Sequence, residues 1–429
     1  MSTPARRVRR TSATERVEIR QALDALSAPE LRAVVRGILH DVEEDVRTTL
    51  VGRLLAQATR GSSGWKPARP SPRIVADAQA FAEAARRVGQ ADPDDVTEHL
   101  SRASKAFLAG DQAIARAVFD AILPPVASAD IDLGQHELVE EVLGVDAQVC
   151  VAQYVASVYT TTPLPGRVDA VLRAIGDAQG VGTLFNPIKD MEDVTAGGLA
   201  DLDLFLARWI ARLRRFRAPR GGWESEHERW LREAVGRRDG VDGLERLART
   251  TKRPQACLAR YAALAERGDW LAALKAAVAS AGLVRQSHWR GELLDGAALA
   301  AQELGRSDLS TRLETAWRAA PTLTRLLRWL AAGRSGHDVI RARAAKAVAC
   351  CPKTAMRQLG LLRVLRGDVS GAAALLSKAP GLGWSDPDHP GHTLFPLFAT
   401  LLSKGDIDTA LLNELEATAG EPLDRLIEA

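Results

Sequence analysis

Two carboxylates and two imidazoles fall within seven residues toward the C-terminal end of this 429-residue chain: Asp386, Asp388, His389 and His392. Asp and His supply the oxygen and nitrogen donors of divalent-metal sites, so this loop is a candidate metal centre for a metal-dependent enzyme. The same residues also suit a rigid turn. Pro387, Pro390 and Gly391 break any helix between them, no third His or Cys lies near, and Asp and His are good turn and capping residues. Both readings stand on the sequence.

A second cluster is basic. Arg208, Arg212, Arg214, Arg215, Arg217 and Arg220 interleave with Trp209, Phe216 and Trp223. Guanidinium groups clamp phosphates and aromatic rings stack on bases, which points to nucleic acid. Glu224, Glu226, Glu228 and Glu233 follow closely and offset that charge. The competing reading is a solvated helix face with Trp209 and Leu213 turned to the core. Arg6, Arg7, Arg9 and Arg10 form a basic N-terminal arm that either adds to such a surface or simply solubilises the terminus.

Nucleophilic chemistry has less support. Cys350 and Cys351 precede Pro352 and lie near Lys346 and Lys353, which would stabilise a thiolate, but no His partner can be assigned. No G-x-S-x-G elbow occurs, and Gly180-Val181-Gly182 lacks the Lys and the preceding strand of a phosphate loop. The four cysteines, with Cys150 and Cys257, have no CxxC spacing and are expected to be reduced and buried, as in a cytoplasm. No catalytic residue and no cofactor is therefore predicted.

The elements that must hold these residues are helical. Ala and Leu dominate, and Val and Ile seldom alternate with polar residues, so strands are not expected. Charged residues make up 26% and hydrophobic residues 46%, an ordinary folded composition, and no run of 18 uncharged apolar residues predicts a membrane helix. The net charge of +3 is too small to argue for nucleic acid by itself, and the 57 basic residues are 48 Arg and 9 Lys, a skew that fits a GC-rich genome. Glu15, Arg16, Glu18 and Arg20 interrupt any secretory apolar core after the basic arm.

One pattern recurs. Gly110-Asp111, Gly268-Asp269, Gly367-Asp368 and Gly405-Asp406 are each followed at a fixed offset by an alanine, Ala115, Ala273, Ala372 and Ala410. Gly ends one helix in the left-handed conformation, Asp caps the next, and the small Ala lets the two approach. This corner resembles that of the tetratricopeptide repeat. A larger residue one turn after the Ala, at Phe119 and Leu376, and Pro124 and Pro380 near the terminating position, carry the resemblance further. It covers about half the chain and departs from the family at His99 and Ala106, where the first helix would hold aromatics. The corner spacings of 158, 99 and 38 residues also depart, since only the last approaches the family period. The resemblance implies stacked helical hairpins and a protein-binding role. The two ends of the chain look like bacterial helical-repeat proteins, some with a SWIM-type zinc finger, whose C-x-C and C-x-H pairs are missing here.

The expected architecture is all-α: an irregular α-solenoid of stacked hairpins with a small N-terminal helical hairpin on a flexible linker. Its parts are a basic tail (1–16), the hairpin (17–60), the linker (61–73), a first repeat region (74–216), a hinge (217–222) and a second repeat region (223–429). Pro124-Pro125 is expected to close a hairpin, residues 135–159 to form a helix, residues 179–198 to be irregular, and Leu199 to Phe216 to be helical. The function that follows is a non-enzymatic protein-interaction scaffold in the cytoplasm, with a protein partner and no membrane. A nucleic-acid-binding helical repeat and a metal-dependent enzyme stand as the alternatives.

Overall fold

The computed structural model describes residues 25–61, 64–134, 138–216, 224–333, 336–375 and 389–403. Every regular element among them is an α-helix, and one isolated bridge joins Gln90 to Asp132. The all-α class with successive helix-on-helix packing is therefore as expected. The chain divides into two compact units, Met1–Arg217 with Glu226–Ala234, and Ala218–Ser225 with Val235–Ala429.

The first unit opens with α1 (Ala28–Asp41) and α2 (Glu44–Arg60), which pack on each other. Ser27 starts α1 with a capping box: the Glu30 carboxylate accepts from its backbone N–H at 2.8 Å and from its hydroxyl at 2.6 Å. Beyond 64–72 follow α3 (Arg73–Val88), α4 (Pro93–Leu108) and α5 (Gln112–Ala127). Asp92 accepts from Asp94 N–H and Pro93 fills the first turn, as the Asp-Pro pair predicts. After the short α6 (Val139–Val142) comes α7 (Ala147–Thr161), buried on all sides from Cys150 to Tyr159. Such a helix must be central. It packs on α4, on α5, on α8 (Leu164–Ala178) and on α9 (Pro187–Val194). Helix α10 (Leu202–Leu213) lies on α8, and the segment Glu226–Ala234 completes this unit.

Four expectations need correction. Pro124 and Pro125 do not close the α4–α5 hairpin; they sit inside the last turns of α5, held by the buried Leu123, Pro125 and Val126. Residues 139–159 are not one helix. The chain is extended at Leu143, and Asp146 starts α7 afresh by accepting from Val149 N–H at 3.1 Å. The stretch 179–198 contains α9. The helix expected from Leu199 starts later, at Leu202, after Asp201 in the left-handed region (φ 56°). Gly180 shows why that stretch carries glycines: a Cβ there would stand 2.3 Å from the Ala127 carbonyl oxygen.

The second unit continues from Val235 in the helical segment Glu226–Thr251 (α11), which breaks at Gly240 with φ 60° and ψ −147°. Then come α12 (Pro254–Glu266), α13 (Trp270–Leu283), α14 (Ser287–Glu303), α15 (Leu309–Ala319) and α16 (Leu323–Leu330). They are followed by α17 (His337–Val348), α18 (Met356–Leu365), the short α19 (Val369–Ala373) and α20 (Gly391–Ser403). From α12 to α19 each helix packs on the one before it, and α20 returns to α18. Trp317 and Trp329 stack at 5.4 Å in one core cluster, and the Trp317 indole N–H donates to Gln358 Oε1 at 2.8 Å.

The described corners have the expected geometry. Gly110, Gly268 and Gly367 are left-handed (φ 88°, 73° and 82°), and Ala115, Ala273 and Ala372 are fully buried. Asp269 and Asp368 cap their helices by accepting from Ala272 and Gly371 N–H groups at 3.0 and 2.9 Å. Asp111 corrects the pattern: it sits at the N-cap position of α5 without a side-chain cap bond. Gly405, Asp406, Ala410, Leu376 and Pro380 lie outside the described residues.

Candidate functional site

A cleft of about 650 Å³ opens in the first unit where α2, α4, α7 and α9 meet. Its apolar wall is aliphatic: Val51, Leu55 and Ala56 from α2, Leu108 from α4 and Val149 from α7. No Phe, Tyr or Trp among the described residues lines it. Helix α2 contributes these residues because its neighbour on the body side is α4. Two contacts tie α2 across the cleft: Arg53 pairs with Asp146 at 3.4 Å, and Arg60 donates to the Asp193 carbonyl at 2.7 Å.

Further polar groups enter from α4 and α7. Ser101, Ser104 and Lys105 are spaced i, i+3, i+4 on α4 and share one face. Among the described residues neither hydroxyl has a hydrogen-bond partner, and Lys105 has no carboxylate within ion-pair distance. From α7 comes Gln153, 1% exposed, whose Oε1 is buried without a partner. Cys150, one turn earlier, is also buried, and desolvation with the nearby Asp146 charge pushes its thiol up to about 12. It is no nucleophile at neutral pH.

The basic cluster is partly built into the fold. Arg208 donates to the Leu164 carbonyl at 3.0 Å, and Arg212 pairs with Asp169 at 3.1 Å while lying 4.9 Å over the Phe216 ring. Phe216 stacks on His227 at 3.8 Å. Burial holds the His227 imidazole below its ordinary range. Trp209 and Leu213 face the core, and Arg214 and Arg215 are exposed. Arg217, Arg220 and Trp223 lie outside the described residues. Glu233 does not offset surface charge as expected. It accepts from the backbone N–H groups of Ile188 (3.4 Å) and Lys189 (2.8 Å) at the start of α9, and burial pushes its carboxyl up to about 7.

The metal candidate is half described. His389 Nδ1 accepts from the Gly391 backbone N–H at 3.1 Å, and its ring stands 6.1 Å from that of His392. Asp386 and Asp388 fall outside the described residues, and among those described no three His, Cys, Asp or Glu side chains gather to hold a metal. The cysteine expectation is corrected at two positions, since Cys350 is exposed and Cys351 only half-buried. No thiolate forms at Cys351, because burial, with Cys350 beside it, pushes that thiol up to about 11. Lys346 pairs with Glu314 at 2.7 Å.

Sequence reasoning missed the cleft. Its one local signal is the Ser101–Ser104–Lys105 spacing on a helix that is otherwise apolar on its core side. Compared with models of known protein families the chain matches none, and comparison with curated proteins likewise gives no match. No helix among the described residues is long and apolar enough to cross a membrane.

Proposed function

We propose that this protein is a non-enzymatic interaction scaffold whose N-terminal hairpin docks an apolar-striped helix of another protein. The observation that carries this is α1. None of its residues is buried, and Val34, Val35 and Ile38 are 45%, 39% and 47% exposed on one side of it. A 14-residue helix is marginal on propensity alone, and this one carries Gly37 and three β-branched residues. Its apolar ridge suits the ridge-and-groove packing of a second helix. The tetratricopeptide-like corners support the same reading by resemblance. A nucleic-acid reading rests, among the described residues, on Arg214 and Arg215, because Arg208 and Arg212 already serve the packing of α10 on α8.

The test is purification of the tagged full chain from native extract with nuclease, beside the Val34→Asp, Ile38→Asp double variant. Both positions are exposed, so the variant keeps the helical circular-dichroism signal. The expected result is a stoichiometric protein partner that survives nuclease and falls about tenfold or more in the variant. An identical set of proteins with both chains overturns the reading. A set that vanishes with nuclease moves it to nucleic acid.

A further inference from the structure

We propose that the cleft between α2, α4, α7 and α9 is a binding site for an aliphatic carboxylate that carries a hydrogen-bond donor along its chain. Four features select that chemistry. The volume, about 650 Å³, lies within the range of small-ligand sites. The wall is aliphatic and, among the described residues, holds no aromatic ring, which favours a flexible chain over a planar one.

The rim is basic. Among the described side chains, Arg47, Arg53, Arg60 and Lys105 face two carboxylates, those of Asp146 and Asp193. Asp146 is paired with Arg53 and Asp193 with Lys189, which leaves Lys105 with no carboxylate beside it among the described residues. With the Ser101 and Ser104 hydroxyls one turn away, Lys105 offers a carboxylate an ammonium and two O–H donors on one helix face.

The fourth feature is Gln153. Gln153 lines the cleft while its Oε1 is buried without a partner, so a ligand that brings an N–H or O–H as the side chain turns toward it satisfies a group the empty site leaves unmet. A plain fatty acid has no such donor. An acyl chain bearing an amide N–H next to a carboxylate has both. This site is separate from the α1 ridge and does not depend on the docking reading.

The experiment is titration calorimetry of the full chain with N-dodecanoylglycine below its micellar concentration. Expected is saturable one-to-one binding. N-methylation of the ligand amide, which deletes the donor, weakens it about tenfold, and Lys105→Gln weakens it by a similar factor. Gln153→Leu makes the methylated and unmethylated ligands bind equally. Gly52 lines the cleft on α2 with no atom within 4 Å of where its Cβ would stand, so Gly52→Phe fills the space without a clash and abolishes binding. Val34→Asp leaves binding unchanged.

Three outcomes overturn the proposal. The first is no saturable binding of the acyl amino acid. The second is equal binding of dodecyltrimethylammonium, which would mark general detergent adsorption. The third is binding displaced by an acidic amphipathic peptide or by phosphatidylglycerol vesicles but indifferent to Lys105→Gln and Gly52→Phe.

Discussion

Glu233 accepts the Lys189 backbone N–H at 2.8 Å and so caps a helix forty-odd residues earlier in the chain. Its carboxyl is raised to about 7 from an ordinary 4.5, with burial the largest cause and the two backbone N–H bonds opposing it. The folded state therefore holds a proton on Glu233 across a window where the unfolded chain has released it. Stability from this group is complete below about pH 4.5 and is lost as pH rises toward 7. Replacing it with Gln keeps an acceptor for Lys189 without the charge. Thermal midpoints of wild type and Glu233→Gln should coincide near pH 4.5 and separate in favour of the variant by pH 8, by about 2–3 kcal/mol. Parallel curves would show that Glu233 titrates normally.

Gln358→Leu should destabilise the second unit by about 1–3 kcal/mol, because it strands the buried Trp317 indole N–H while keeping the volume. Denaturant unfolding followed by tryptophan fluorescence measures it. A change below about 0.5 kcal/mol would mean the indole finds another acceptor.

Two glycines of the second unit should respond to alanine with opposite signs. At Gly296 a Cβ would stand 2.8 Å from the Tyr261 ring, so Gly296→Ala should cost about 1–3 kcal/mol. At Gly282, on α13, a Cβ meets nothing within 4 Å and the backbone is not left-handed, so Gly282→Ala should stabilise by about 0.5–1 kcal/mol. Circular-dichroism melts of the two variants decide it, and a shared sign would contradict the packing at Tyr261.

The corner aspartates should not be equivalent. Asp269→Ala removes a cap bond to Ala272 N–H and should cost about 1 kcal/mol, whereas Asp111→Ala removes none and should cost a few tenths. Equal losses in urea midpoints would place Asp111 in a cap after all.

What the sequence revealed was local. A left-handed Gly and a small offset Ala lie within six residues of each other at the described corners 110, 268 and 367, with a capping Asp at the last two, so these corners could be recognised from their own chemistry. The Ser27–Glu30 box and the Asp92–Pro93 helix start are local in the same way, each set by residues within one turn. The failures concern residues far apart in the chain. Pro124 and Pro125 read as a stop because the packing that holds them in α5 is tertiary. Glu233 reads as one more surface acid until α9 is seen against it. Gln153 looks like a polar face of α7 until neighbours close over every side of that helix. Four separate helices supply the cleft, so no window of sequence contains it.

Neighbour-on-neighbour packing from α12 to α19 also bears on how the second unit assembles. Each contact there closes a loop of a few tens of residues at most, so little chain entropy is lost before a contact forms. Such a segment is expected to fold quickly, to nucleate at whichever pair of helices meets first, and to fray from its ends inward. Damage at one seam, at Trp317 or at Tyr261, would then loosen the adjoining helices before it reached those further along.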